Sequence, residues 1–235
     1  MISPNGPRLL VLWDIDHTLL QSRGMGREMY ERAFPAAFGR PFQQLADVSG
    51  RTELDIIAET LKLHGIEPTD SATHQLADAL IRSYEAGRNE FAERARGLPG
   101  AREALAALAT DSAIHQGVLT GNLRAVALIK LAALGMDEFL DLKTSAYGDD
   151  HTDRAQLVAI ARDRASRAVG TTFDAAQTLL IGDTPRDVAA GLATGVRVIA
   201  VASGRSSVEE LRSAGAWSVL QDLTDEAELL RLIEG

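Results

Sequence analysis

Short apolar runs that stop at polar loops set the rhythm of this chain. Leu9-Leu10-Val11-Leu12-Trp13 runs into Asp14-Ile15-Asp16-His17-Thr18, and Gly117-Val118-Leu119 into Thr120-Gly121-Asn122. Thr178-Leu179-Leu180-Ile181 runs into Gly182-Asp183-Thr184-Pro185, and the segment Val196–Val201 into Ala202-Ser203-Gly204. An apolar run of this length suits a strand buried on both faces of a parallel sheet. Ala125–Leu134, Arg186–Thr194 and Val208–Ala214, which follow three of the loops, read as helices. Strand, polar loop and helix in repetition predict an α/β fold with a doubly wound parallel sheet. Weaker signals add a strand at Leu140–Thr144, a helix at Arg154–Arg167, and a final strand and helix near Trp217–Leu220 and Asp225–Ile233.

Between residues 21 and 96 the rhythm breaks. Arg27–Phe38, Glu53–His64 and Ala72–Ala95 read as amphipathic helices with no convincing strand among them. A Gly97-Leu98-Pro99-Gly100 turn then leads into a helix at Ala101–Ala109. The pattern divides the chain into an α/β core at 1–20 and 97–235 and a helical insert at 21–96. An insert placed over the carboxyl ends of parallel strands is a natural lid.

Composition narrows the classes. The 235 residues carry 46% hydrophobic positions, a net charge of −9 and no cysteine. That excludes a disulfide scaffold, cysteine-ligated metal sites and thiol catalysis. An acidic balance with no long Lys/Arg run argues against nucleic acid and membrane surfaces as partners. The apolar stretches fall well short of the ~20 residues of a spanning helix. Met1–Arg8 lacks the pattern of a signal peptide, so a cytoplasmic location is expected.

Every polar loop named above follows a strand, and in open α/β sheets that edge binds ligands. It gathers Asp14, Asp16, Thr18, Thr120, Asn122, Asp183 and Asp187. Carboxylates crowded together repel unless a cation or a proton compensates, and oxygen-only ligands favour Mg²⁺. Asp14-Ile15-Asp16 offers two carboxylates with different aims, one suited to nucleophilic attack and one to acid–base work. Thr120-Gly121-Asn122 offers a hydroxyl, an amide and backbone N–H groups to phosphate oxygens. In Gly182-Asp183-Thr184-Pro185-Arg186-Asp187, helix capping accounts for Thr184, Pro185 and part of Asp187, which leaves Asp183 for a metal.

Together these motifs resemble the haloacid dehalogenase superfamily, over residues 9–202. Asp14-Ile15-Asp16-His17-Thr18-Leu19 is similar to its first motif, Thr120-Gly121-Asn122 to its second, and Gly182–Asp187 to its fourth. The resemblance implies a Rossmann-like core with an inserted all-α cap and a phosphoaspartyl mechanism. It implies Asp14 as nucleophile, Asp16 as general acid and base, and Thr120 and Asn122 on the phosphoryl group. It also implies Mg²⁺ held by Asp14, the carbonyl of Asp16, Asp183 and Asp187. An Asp at position 16 points to phosphoryl transfer, because the dehalogenases of the superfamily lack it.

The third motif of the family, a Lys or Arg often followed by Pro, has no such form here. Arg154, at a helix start, is its expected counterpart, with Lys143 the alternative. His17 stands where the family usually has Gly and reads as a tolerated turn residue, with contact to the substrate as the alternative. The insert resembles the helical cap of the phosphoglycolate phosphatase and β-phosphoglucomutase branch. Within it, Ser49-Gly50-Arg51-Thr52 resembles a substrate-specificity loop in which Arg51 clamps a second anionic group. Arg51 and Thr18 complete the expected substrate contacts, while Lys62, His64, His74 and His115 read as surface or packing residues. The expected activity is hydrolysis of a small phosphate ester, such as phosphoglycolate, by a monomer or homodimer. Rival readings are a phosphomutase, a phosphonate or pyrophosphate hydrolase, and a non-catalytic binding protein.

Overall fold

A computed structural model describes residues 8–234; the leader reading of the first residues falls largely outside them. Five parallel strands form one sheet in the order β4-β1-β5-β6-β7: β1 Leu9–Trp13, β4 Ile114–Val118, β5 Thr178–Gly182, β6 Arg197–Val201 and β7 Ser218–Leu220. Alternate residues of each strand face opposite layers. Val11, Trp13, Leu179, Ile181, Ile199 and Val201 pack on one side with α5 (Ala101–Ala109), α6 (Arg124–Ala132) and α10 (Glu226–Glu234). Leu10, Leu12, Leu180, Val198 and Ala200 pack on the other with α7 (Arg154–Val169), α8 (Pro185–Thr194) and α9 (Val208–Ser213). Two buried faces are the reason β1 and β5 read as nearly unbroken apolar runs, whereas β4, at the margin of the sheet, carries His115 and Gln116.

Between β1 and α5 the chain leaves the sheet through a two-residue strand, β2 (Leu20–Gln21), and returns through another, β3 (Arg96–Gly97). The two pair antiparallel, Leu20 opposite Gly97 and Gln21 opposite Arg96. Between them lie α1 (Met25–Phe38), α2 (Glu53–Leu63), α3 (Asp70–Ala86) and α4 (Arg88–Arg94). These helices pack on one another through Met29, Phe34, Ile57, Leu61, Leu76 and Leu80, all buried, and α3 and α4 also lie against α6.

Three expectations change. The helix read over Ala72–Ala95 is two helices, because the chain bends at Gly87 (φ −90°, ψ 10°). The ribbon of β2 and β3 carries too few residues to show an alternation. The strand read at Leu140–Thr144 is a turn: Asp141 Oδ1 accepts from the Lys143 amide at 3.0 Å, and the Asp141 carbonyl from the Ser145 hydroxyl at 2.9 Å. That side-chain turn overrides the alternation of Leu140 and Leu142. Among the described residues, no helix is long and apolar enough to cross a membrane.

Gly191 shows how tightly the layers meet. It lies inside α8, where Ala is usually better than Gly by up to about 1 kcal/mol. Here an added methyl group would enter the side chain of Val198 on β6, and overpacking of that kind costs about 1–3 kcal/mol. Gly191→Ala is therefore expected to lower the urea midpoint. A raised midpoint would show that α8 moves away at no cost.

Candidate active site

Asp14 follows β1, Thr120 follows β4 by two residues and Asp183 follows β5, so parallel strands deliver all three to one edge of the sheet. Asp187 comes from the first turn of α8. A capping box fixes it there: Thr184 accepts from the Asp187 amide, and Asp187 Oδ2 accepts from the Thr184 amide at 3.0 Å and its hydroxyl at 2.6 Å. Carboxylate oxygens of Asp14, Asp183 and Asp187 lie within 4.8 Å of one another, and all three residues are buried. The backbone of Gly204, after β6, presses on Asp183 so closely that a Cβ there would meet its Oδ2.

Arg154 is the cation among these acids. It is buried, with one guanidinium nitrogen 2.7 Å from Asp14 Oδ1 and 2.6 Å from Asp187 Oδ1. Asp187 Oδ1 meets Arg154 as an ion pair but takes no hydrogen bond, and Arg154 Nε makes none, among the described residues. Burial pushes the Asp14 carboxyl up to about 7, with Asp187 and Asp16 adding to the rise and Arg154 opposing it. Asp183 is pushed up to about 9, first by burial and then by repulsion from Asp14 and Asp187. Three carboxylates and one guanidinium sum to −2 when ionised. A divalent cation with oxygen ligands matches that deficit, and Asp187 Oδ1, which takes no hydrogen bond among the described residues, can serve as a ligand atom. The donor set fits Mg²⁺.

Asp16 turns elsewhere. Its Oδ2 accepts from Asn122 Nδ2 at 2.7 Å and from Lys130 Nζ at 2.6 Å. Asn122 also donates to Thr120 Oγ1 at 2.8 Å, and its Oδ1 accepts from Lys130 at 2.6 Å. Burial would raise the Asp16 carboxyl, but Lys130 outweighs it and holds the group below the ordinary range. Burial would likewise lower the Lys130 ammonium, and Asp16 with its neighbours keeps it well above its usual value.

Lys130 was not anticipated from the sequence. A signal was there: α6 reads Arg-Ala-Val-Ala-Leu-Ile-Lys-Leu-Ala, apolar nearly all round. Such a helix is buried, and an ammonium on it needs a carboxylate partner.

The other expected residues fall as follows. Lys143 is exposed in the Asp141 turn, whereas Arg154 contacts Asp14. Thr18 is fully buried with an unpaired hydroxyl. His17 is exposed in a left-handed conformation (φ 64°), and its carbonyl accepts from the Ser203 hydroxyl at 2.6 Å. Arg51 closes on its own segment, with Nε 2.6 Å from Asp55 Oδ2. Lys62 and His74 are exposed. His64 packs between Phe34 and Phe42, and His115 lies 2.9 Å from the Thr144 hydroxyl.

The loop bearing Arg51 is seated on the core. The Glu53 amide donates to the Gly121 carbonyl at 2.7 Å, and the Thr52 hydroxyl to the Thr152 carbonyl at 3.2 Å. A Cβ at Gly121 would collide with the Arg51 carbonyl, and one at Gly148 with the Gly121 carbonyl. Glycine allows this approach because it leaves backbone room where two loops meet.

A phosphoglycolate phosphatase of Cupriavidus necator, plasmid-encoded, is 27% identical over 222 residues, 92% of this chain and 90% of that protein. Among solved structures, a hydrolase from Pseudomonas syringae matches with a TM-score of 0.69 at 24% identity, over 96% of this chain and 99% of that one. A Bacteroides vulgatus protein provisionally described as a β-phosphoglucomutase matches with a TM-score of 0.68 at 19% identity, over 98% and 90% of the two chains. At such identities these two structures speak for the fold. The family model of haloacid dehalogenase-like hydrolases covers residues 11–201, from within β1 to the end of β6 and so through every acid of the site. By that match the chain belongs to the haloacid dehalogenase-like hydrolases.

Proposed function

We propose that this hydrolase is a Mg²⁺-dependent phosphatase that cleaves a small phosphate ester through an aspartyl-phosphate on Asp14. The observation that carries this reading is the division of labour between the two acids of Asp14-Ile15-Asp16. Asp14 joins Asp183, Asp187 and Arg154, while Asp16 faces Asn122 and Lys130. The similarity to a phosphoglycolate phosphatase supports the reaction class.

Asp14, Asp183 and Asp187, with the Asp16 carbonyl, would hold Mg²⁺. When bound, the ion neutralises phosphoryl oxygens and the excess carboxylate charge. An oxygen of Asp14 attacks phosphorus, and the bond from phosphorus to the ester oxygen breaks. Asp16 gives its proton to the departing alkoxide. The protein bonds to Asp16 both fall on Oδ2, which leaves Oδ1 for that transfer. Lys130 favours the carboxylate form at rest, and an approaching phosphoryl dianion raises proton affinity by like-charge repulsion. In the second step Asp16 takes a proton from the water that attacks phosphorus, and the bond to Asp14 breaks. Thr120 and Asn122 orient the phosphoryl group, and Arg154 balances its charge.

The four helices between β2 and β3 act as a cap in this reading. Their seating on the loop at Gly121 shields the acids from bulk water, which strengthens each electrostatic contact.

Orthophosphate release from a panel of small esters, including phosphoglycolate and sugar phosphates, tests the proposal. Release with Mg²⁺ that stops in EDTA is expected. Release indifferent to EDTA would overturn the metal, and transfer to a second sugar hydroxyl in place of water would make the enzyme a mutase.

A further inference from the structure

Two cations on the elements around the site, Arg51 and Lys130, are already paired with acids. The Arg51 guanidinium is held by Asp55 Oδ2 at 2.6 Å and by the carbonyls of Asp47 and Asp55 at 3.3 Å. Lys130 donates to Asp16 and Asn122, with the Tyr84 ring 5.7 Å from its Nζ. Glu53 differs. It begins α2, and its amide bond to the Gly121 carbonyl places it on the loop that carries Thr120 and Asn122. Its Oε1 accepts from the buried Tyr30 hydroxyl at 2.6 Å, while Oε2 takes no hydrogen bond among the described residues. Burial pushes its carboxyl up, the Tyr30 hydrogen bond and Lys130 pull it down, and Asp16 pushes again, so Glu53 lies within electrostatic reach of both core groups.

Resting on the phosphatase reading, we propose that Glu53 is a specificity-determining residue whose free oxygen accepts a hydrogen bond from a hydroxyl or ammonium on the leaving alcohol. Phosphates of polyols and amino alcohols then fit. A substrate carboxylate would meet Asp16 and Glu53 while Arg51 and Lys130 are paired, and like charges at short range select against a ligand. The enzyme therefore departs from a phosphoglycolate phosphatase at the leaving group and keeps its chemistry.

The test compares kcat/KM for glycerol 1-phosphate, ethanolamine phosphate and 2-phosphoglycolate, with Mg²⁺, in the parent enzyme, Glu53→Gln and Glu53→Asp. The parent is expected to favour at least one donor-bearing ester over phosphoglycolate by roughly tenfold or more. Glu53→Gln still accepts from Tyr30 but lacks the charge, and the preference is expected to fall by about tenfold. A ratio measured within one preparation is unaffected by lost folded protein. Should Glu53→Gln not fold, the parent's ranking and the weakened preference of Glu53→Asp decide. The ammonium and hydroxyl esters separate the two kinds of donor. A parent that prefers phosphoglycolate, or a ratio unmoved in the variants, overturns the role of Glu53. Failure of the parent to release phosphate from any ester overturns the phosphatase reading instead.

Discussion

Asp14→Asn is expected to lower kcat by at least about a thousandfold while the protein stays folded, as loss of a covalent nucleophile does elsewhere. The amide keeps the shape of the side chain and can still accept from Arg154. It cannot supply the anionic oxygen that attacks phosphorus. Retention of turnover within tenfold would remove Asp14 as nucleophile. The same variant carries a second expectation. In EDTA, Asp14 and Asp183 sit well above the ordinary carboxylate range, at about 7 and about 9. Acids with raised values bind protons more tightly folded than unfolded, so their contribution is full at pH below about 4 and lost as pH rises through those values. Metal-free protein should therefore lose thermal stability between pH 5 and 8, and Asp14→Asn should lose less. Mg²⁺ should flatten the parent's profile by supplying the missing charge.

Arg154→Met is expected to destabilise the metal-free protein by about 3–5 kcal/mol, the usual cost of breaking a buried ion pair from one side. The methionine fills much of the arginine stem, so lost packing is the lesser effect. The larger one is three buried acids left without a cation. Urea unfolding in EDTA measures it. Added Mg²⁺ should recover part of the loss, since a ligand that binds only the native state stabilises it. Arg154→Lys should fall between: an ammonium restores the charge, but on a shorter stem it does not place a nitrogen where the guanidinium meets both Asp14 and Asp187. An unchanged urea midpoint in Arg154→Met would mean that the acids are protonated or solvated without it.

Most of the candidate site was legible as a cluster because parallel strands bring their ends to one edge. Asp14, Thr120 and Asp183 each follow an apolar run, and an apolar run that stops at an acid marks both an element and its functional edge. Asp187 was legible through its spacing from Thr184. Lys130 was hidden by the opposite circumstance, since it interrupts a helix rather than ending a strand and its partner Asp16 lies 114 residues away in sequence. The pairing of Arg51 with Asp55 went unread, although their spacing of four residues allows it. The bend at Gly87 was illegible because apolar spacing continues across it, from Leu80 and Tyr84 to Phe91. The turn at Asp141 depends on a side chain bonding its own backbone, which competes with alternation locally.

The order of the sheet gives the site a gradient of local stability. β1 and β5, which deliver Asp14 and Asp183, are paired on both flanks, while β4, which leads to Thr120, is at the margin. Amides within interior strands exchange with solvent mainly when the whole domain opens, whereas a marginal strand can fray at lower free energy. In this chain the turn after β4 is pinned back by the Ala146 amide on the Val118 carbonyl and the Thr120 amide on the Ala146 carbonyl. The charged half of the site thus persists as long as the fold does. The half proposed to hold the phosphoryl group hangs on that marginal strand and is tied down by amide bonds through Ala146, Gly148 and Glu53, and it is there that breathing of the native state would first blunt the enzyme.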